Sequence, residues 1–240
     1  FEDNNRFLWA ATRDGRVYLF DRERKMVGYL RDNGTFSSGE PFKALVYVIT
    51  QDSRGNIWMG SKGEGLFRLE PIANGPTCCF RITGYRHDDD DPYSLSHDNV
   101  YSVHEDPGGR IWVGTFNGGL NYISEENGKI RFINSNNRLA SYPYSNHKRV
   151  RYITSDNHDR IWVGTTSGLV IFSRNFGEPE EAKFTTCFFD PQSETSLANN
   201  DVHYIYCSPD DEIFVATFGG GLNRVIGNGD KPEFKSYTVR

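Results

Sequence analysis

One pattern recurs five times along this chain, and it restricts the possible folds more than any other feature. Asp106 to Ile123 reads DPGGRIWVGTFNGGLNYI, and Asp52 to Leu69 reads DSRGNIWMGSKGEGLFRL. Asp156 to Phe172 reads DNHDRIWVGTTSGLVIF, Ser208 to Val225 reads SPDDEIFVATFGGGLNRV, and Asp3 to Phe20 opens the chain as DNNRFLWAATRDGRVYLF. The aromatic anchors Trp9, Trp58, Trp112, Trp162 and Phe214 stand 49, 54, 50 and 52 residues apart. The Asp or Ser that starts each unit lies six positions before its anchor every time. A fixed local register with variable spacing between units marks a repeated supersecondary structure. Repeats of about 40 to 50 residues with four strands each are the pattern of a β-propeller.

Within a unit, an apolar strand comes first: Val46 to Ile49, Val100 to Val103, Val150 to Ile153 and Val202 to Ile205. Three residues later comes the Asp or Ser, whose side chain can accept from backbone amides two residues on and nucleate a turn. That turn ends at Gly55, Gly109, Asp159 or Asp211. The Ile-Trp-Val-Gly run that follows is too continuously apolar for a strand with one wet face, so both faces must be covered. A glycine-rich hairpin leads to a third strand. The fourth is the faintest, at Phe80 to Tyr85, Lys129 to Ile133, Phe184 to Phe188 and Phe234 to Val239. No window keeps a helical apolar stripe before Gly or Pro interrupts it. The expected fold is all-β, a propeller of four-stranded antiparallel blades over residues 1–240. Its units span about 1–43, 44–97, 98–147, 148–199 and 200–240. Phe1 to Asp3 aligns with His104 to Asp106, so the first unit lacks its inner strand, and the expectation is part of a larger propeller.

Bulk properties exclude several classes. Net charge is −5 without a basic stripe, which argues against nucleic acid as partner. No apolar run approaches the roughly 20 residues of a membrane span, and no signal-peptide pattern begins the chain. That suits either an excised or mature segment or a cytosolic protein. Cys78, Cys79, Cys187 and Cys207 form neither a disulfide framework nor a zinc pattern and read as free core thiols. The hairpin glycines lead into strands, whereas a phosphate loop leads into a helix. The acidic run Asp88 to Asp91 lacks the scattered ligand spacing calcium needs. It also does not supply two carboxylates about 5 to 10 Å apart in a cleft, as glycoside hydrolysis requires. No metal ligand set, cofactor motif or catalytic residue is expected.

The units resemble the regulator-propeller repeats in the sensor regions of hybrid two-component systems of gut Bacteroidetes. The likeness rests on D-x-x-G-x-I-W-V-G-T-x-x-G-G-L at Asp106 to Leu120. It rests also on the S-L-x-x-x-x-V linker, Ser94 to Val100, which recurs as Ser196 to Val202. Phe214, Ala216 and Ala11 depart from the pattern, standing where Trp, Gly and Gly are usual. The resemblance implies a periplasmic, non-catalytic sensor piece that detects oligosaccharides and controls polysaccharide-utilisation genes. The implied parent is a membrane-anchored histidine kinase with a response regulator, carrying further propeller blades and an immunoglobulin-like domain and able to act as a homodimer.

The ligand would sit where hairpins and linkers open on one face around the channel mouth. The hairpins would display Arg13, Lys62, Glu64, Phe116, Asn117, Thr166 and Phe218. The linkers would add Tyr93, His97, Asp98, His147, Lys148, Arg149, Asn200 and Asp201. Phe116 and Phe218 are the expected sugar platforms, since turns rarely carry exposed aromatics. Because fold alone does not fix function, a propeller glycoside hydrolase or lyase, and a protein-interaction scaffold of the WD-repeat kind, are the competing readings.

Overall fold

The computed structural model describes residues 1–72, 78–227 and 231–237. Five four-stranded antiparallel sheets follow one another along the chain. The first holds β1 (Leu8–Ala11), β2 (Val17–Phe20), β3 (Met26–Leu30) and β4 (Phe36–Ser37), and the second β5 (Val46–Gln51), β6 (Ile57–Ser61), β7 (Leu66–Pro71) and β8 (Phe80–Tyr85). The third holds β9 (Val100–Glu105), β10 (Ile111–Thr115), β11 (Gly119–Glu126) and β12 (Lys129–Asn134). The fourth holds β13 (Val150–Ser155), β14 (Arg160–Thr165), β15 (Gly168–Ser173) and β16 (Thr185–Cys187). The fifth holds β17 (Val202–Cys207), β18 (Ile213–Thr217), β19 (Gly221–Ile226) and β20 (Glu233–Tyr237). The sequence extends this last strand to Val239, which lies outside the described residues.

Each unit begins with a turn whose third residue after the Asp or Ser is left-handed. Arg6, Gly55, Gly109, Asp159 and Asp211 have φ of 66°, 86°, 81°, 61° and 63°. The acid does more than form this turn. Asp106 Oδ1 accepts from the amides of Gly108 and Arg110 (2.8 and 3.1 Å), while Oδ2 accepts from the indole Nε1 of Trp112 at 2.9 Å. Asp3, Asp52 and Asp156 make the same indole bond to Trp9, Trp58 and Trp162 at 2.8 to 2.9 Å. Both partners are buried, so the carboxylate satisfies an indole N–H that water cannot reach. In the fifth unit the pair changes together. Ser208 Oγ accepts from the amides of Asp210 and Glu212, and Phe214 has no N–H to satisfy. Burial pushes the Asp156 carboxyl upward, but bonds from the Trp162 indole and the Arg160 and His158 amides hold it below the ordinary value.

The anchors pack one sheet on the next. Four clusters of buried apolar side chains lie between sheets one and two, two and three, three and four, and four and five. In each, the Trp face of one sheet meets the two apolar residues of the next sheet's inner strand and the Ile and Val or Met of its second strand. Gly60, Gly114 and Gly164 make this approach possible. A Cβ on Gly114 would stand 2.4 Å from Val150 Cγ1, and those on Gly60 and Gly164 would meet Val100 and Val202 at 2.5 and 2.7 Å. Ala216 holds the same register on the fifth sheet, whose anchor face leaves Tyr204, Tyr206, Leu222 and Tyr237 exposed. Among the described residues no apolar cluster joins the fifth sheet to the first.

The first sheet differs from the rest. Its Trp-bearing β1 is the counterpart of β6, so the inner-strand place is taken only by the first residues. Trp9 N donates to Phe1 O at 2.7 Å, and Glu2 bridges Leu8. The short β4 adds an outer edge to this sheet. Helix, absent from the sequence expectation, occurs as one turn at α1 (Tyr144–His147) and a 3-10 turn at Pro179–Glu181. Both lie in connections and are too short to show an apolar stripe. All four cysteines are unpaired, but only Cys187 is buried. Cys78, Cys79 and Cys207 are half-buried, a correction to the reading of core thiols.

Candidate functional site

One feature is repeated in all four inner strands, at the place where the sequence reading expects the channel mouth. In β5, Val46 pairs with Ser61 and Val48 with Gly60, which leaves Tyr47 without a partner. The same shift leaves out Tyr101 in β9, Arg151 in β13 and His203 in β17. A bulge of this kind adds one residue to one strand and re-aims its side chain. Here all four side chains reach the mouth, and the hairpin residues meet them there.

The result is a contiguous row of aromatic and charged groups. The Tyr47 and Tyr101 rings lie 4.6 Å apart, and Tyr101 stacks on Phe116 at 4.9 Å. The Arg149 and Arg151 guanidiniums each stand 5.6 Å from the Phe116 ring. Arg151 Nε and Nη2 donate to the two carboxylate oxygens of Asp201 at 2.7 and 3.1 Å. His203 Nε2 is 3.5 Å from Asp201, and its ring stacks on Phe218 at 5.6 Å. At the other end, Arg13, Leu45, Tyr47 and Lys62 line a cleft of about 470 Å³ between the first and second sheets, where Ala11 also sits. Burial, and then the neighbouring Tyr47 phenol, push the Tyr101 phenol upward.

Hairpins and linkers are tied to each other by their backbones. Lys62 bridges Asn99, and Phe116 bridges Arg149. Gly63 N donates to Asp98 O, Asn117 N to Lys148 O, Thr166 N to Arg149 O and Phe218 N to Asp201 O. The structure thus gathers Arg13, Lys62, Phe116, Arg149, Asp201 and Phe218 along the inner row, with Thr166 bonded to it. Phe218 is 70% exposed and offers a free ring face, but Phe116 does not, since Tyr101 and the arginines flank it. Asn117 Oδ1 accepts from Arg149 Nε at 3.1 Å and holds that guanidinium in place.

The other candidates support the loops. Asp98 accepts from His87 N at 2.7 Å, and Arg86 pairs with Glu64 at 3.0 Å. Asn200 accepts from Phe189 N, and His97 Nδ1 accepts from Asn99 N. Burial lowers the His97 pKa, with Asp98 opposing. Tyr93 lies away from the mouth, half-buried against the core between sheets three and four, with the Arg131 guanidinium 4.9 Å from its ring. His147 is buried on Thr165 Oγ1 at 3.0 Å, and burial lowers its pKa too. Within the acidic run, Asp88 and Asp91 cap the amides of Asp90 and Tyr93. Among the described residues no group of three His, Cys, Asp or Glu side chains converges on a common point.

Sequence reasoning passed over Tyr47, Tyr101, Arg151 and His203. A signal was present: the second residue of the V-x-x-I strand is aromatic or cationic in every copy, at a place where alternation predicts no special role.

Comparison with known proteins agrees with the repeat reading. The model of the two-component regulator propeller family matches residues 41–63 and 94–117. No curated protein matches the chain by sequence. Among solved structures, the extracellular domain of BT3049, assigned to a hybrid two-component system of B. thetaiotaomicron, is 22% identical with a TM-score of 0.70. The match covers 99% of this chain and 28% of that one. Virginiamycin B lyase of Staphylococcus aureus is 18% identical with a TM-score of 0.62, covering 100% of this chain and 69% of the other. PorZ, a surface component of the type-IX secretion system of Porphyromonas gingivalis, is 17% identical with a TM-score of 0.65, covering 93% and 31%. These likenesses establish the β-propeller fold. The chain spans under a third of the B. thetaiotaomicron domain.

Proposed function

We propose that this chain is a non-catalytic part of the extracytoplasmic, periplasmic region of a hybrid two-component sensor and that it binds an oligosaccharide at the channel mouth. The observation that carries this is the bulge in each inner strand, which delivers Tyr47, Tyr101, Arg151 and His203 to one row with Phe116, Arg149 and Phe218. Sugar sites combine a ring-sized apolar face with planar polar groups that reach several hydroxyls. Phe218 and Tyr47 supply the faces here, and Arg149 and Asn117 the planar groups. The regulator-propeller repeats support the sensor role, and the partners are further blades, an immunoglobulin-like domain and a kinase that controls polysaccharide-utilisation genes. A ligand alters signalling only by binding two receptor arrangements with different affinity.

A thermal-shift screen against defined plant and host oligosaccharides, with mass spectrometry for cleavage, tests the proposal. A ligand at 100 times its Kd stabilises the native state by about 2.7 kcal/mol. For a domain of this size that raises Tm by roughly 5 to 10 °C. A shift without cleavage is expected. The lyase reading draws on the His203–Asp201 pair at the mouth, since such a pair could move a proton. Cleavage abolished by His203→Gln would replace the sensor reading with that one.

A further inference from the structure

The charges around the mouth are unevenly satisfied. Four carboxylates on its hairpins and linkers are already engaged. Asp14 is held by Arg16 at 2.7 Å, Glu64 by Arg86 at 3.0 Å, and Asp201 by Nε and Nη2 of Arg151. Asp98 accepts from the His87 amide. The cations are not matched in the same way. Among the described residues Arg13, Lys62 and Arg149 have no ion-pair partner, and the guanidinium of Arg149 donates only to the neutral amide oxygen of Asn117. Several arginines elsewhere on this acidic chain are neutralised, as Arg138 is by Glu178 and Glu180, Arg160 by Asp156 and Arg174 by Asp159. Arg13, Lys62 and Arg149 thus leave unpaired positive charge at the mouth of a molecule of net charge −5. A field of one sign in a cleft concentrates ligands of the other.

We infer that the mouth recognises an acidic saccharide, one carrying carboxylate or sulfate groups, and this rests on the mouth being the oligosaccharide site. Arg149 is the primary anion contact. The bond to Asn117 and the Phe116 ring at 5.6 Å fix its plane, and its two terminal nitrogens remain free for a bidentate bond to a planar carboxylate or a sulfate edge. Lys62 and Arg13, at the cleft beyond Tyr47, take a second anionic group further along the chain of sugars. Asp201, closed by Arg151, does not repel the ligand.

The test is titration calorimetry of the whole chain with two matched pairs: oligogalacturonate against its methyl ester, and a sulfated glycosaminoglycan oligosaccharide against its desulfated form. One acidic member binds at least tenfold more tightly than its neutral counterpart, and which pair shows this separates carboxylate from sulfate. Raising salt from about 50 to about 300 mM weakens that binding several-fold, since exposed charges are screened. Arg149→Gln and Lys62→Gln each remove most of the preference while thermal midpoints stay unchanged. A neutral oligosaccharide that binds as well as its acidic form, with no salt dependence, overturns the inference and leaves the sugar site standing. Equal binding of a polyglutamate peptide overturns it as non-specific charge attraction. If no saccharide of either kind binds, the mouth is not the site and both readings fall.

Discussion

The Asp–Trp pair predicts a coupling that a double-mutant cycle can measure. Asp106 and Trp112 are 4% and 0% exposed, and the indole N–H meets Oδ2 at 2.9 Å. Asp106→Ser keeps a hydroxyl for the turn amides, as Ser208 does in the fifth unit, and loses only the indole bond. Leaving a buried donor without its charged acceptor costs about 2 kcal/mol. Trp112→Phe orphans the carboxylate oxygen and opens space in the core, at about 2 kcal/mol. Together the two substitutions recreate the Ser–Phe pair, so only the packing loss remains. The double variant should be more stable than the sum of the single effects by about 1.5 kcal/mol, within the range for groups in contact. Urea denaturation followed by far-ultraviolet circular dichroism, at neutral pH, gives the three differences without relying on the fluorescence of the mutated Trp. Single effects that add to within about 0.5 kcal/mol would show that the pair is not coupled and that the recurrence of acid with indole has another cause. The converse applies at the natural exception, where Phe214→Trp should stabilise only when Ser208→Asp accompanies it.

Three further outcomes follow from the packing and the mouth. His104, hydrogen-bonded to Ser155 Oγ at 3.0 Å, has its pKa pushed down by burial from 6.5 to about 4. The unfolded chain therefore takes up this proton first. Stability present above pH 6.5 falls by about 3 kcal/mol towards pH 4 at 1.36 kcal/mol per unit, and His104→Gln should flatten that slope in denaturation series. Gly114→Ala should cost about 1 to 3 kcal/mol because its methyl would meet Val150, whereas Ala216→Gly should change stability by about 1 kcal/mol or less. Equal midpoints for the two variants would contradict the packing argument. Phe218→Ala should leave stability within about 0.5 kcal/mol and weaken oligosaccharide binding at least tenfold in calorimetry. Unchanged affinity would remove Phe218 from the site.

The frame was legible in the sequence because its causes are local and repeated. The fixed six-residue step from Asp or Ser to anchor marks each turn and the strand after it, and the four V-x-x-I or V-x-x-V strands mark the inner wall. The two departures at the glycine register are explained only in three dimensions. Ala11 borders the open cleft beside Tyr47, and Ala216 lies on a face that no described sheet covers. The site was less legible. Alternation along a strand assigns each side chain to one face or the other, and a bulge suspends that rule for one residue. Tyr47, Tyr101, Arg151 and His203 therefore escaped notice, although the hairpins they contact did not. Tyr93 and His147 misled for the opposite reason. Both sit in linkers that approach the mouth, but an aromatic ring and an imidazole there can also be drawn inward, to the core and to Thr165 respectively.

The bulge has a consequence for how such a receptor can diversify. A residue without a cross-strand partner carries no obligation to the ladder, and the sheet-to-sheet cores are filled by its neighbours Val46, Val100, Val150 and Val202. Recognition and scaffold are thus written in adjacent letters of the same strand yet are mutationally separable. Each inner strand offers one position outside the ladder and the sheet-to-sheet core, so four substitutions sample a large chemical alphabet at one rim. A library varied only at these positions should retain its melting temperature while its ligand preferences scatter.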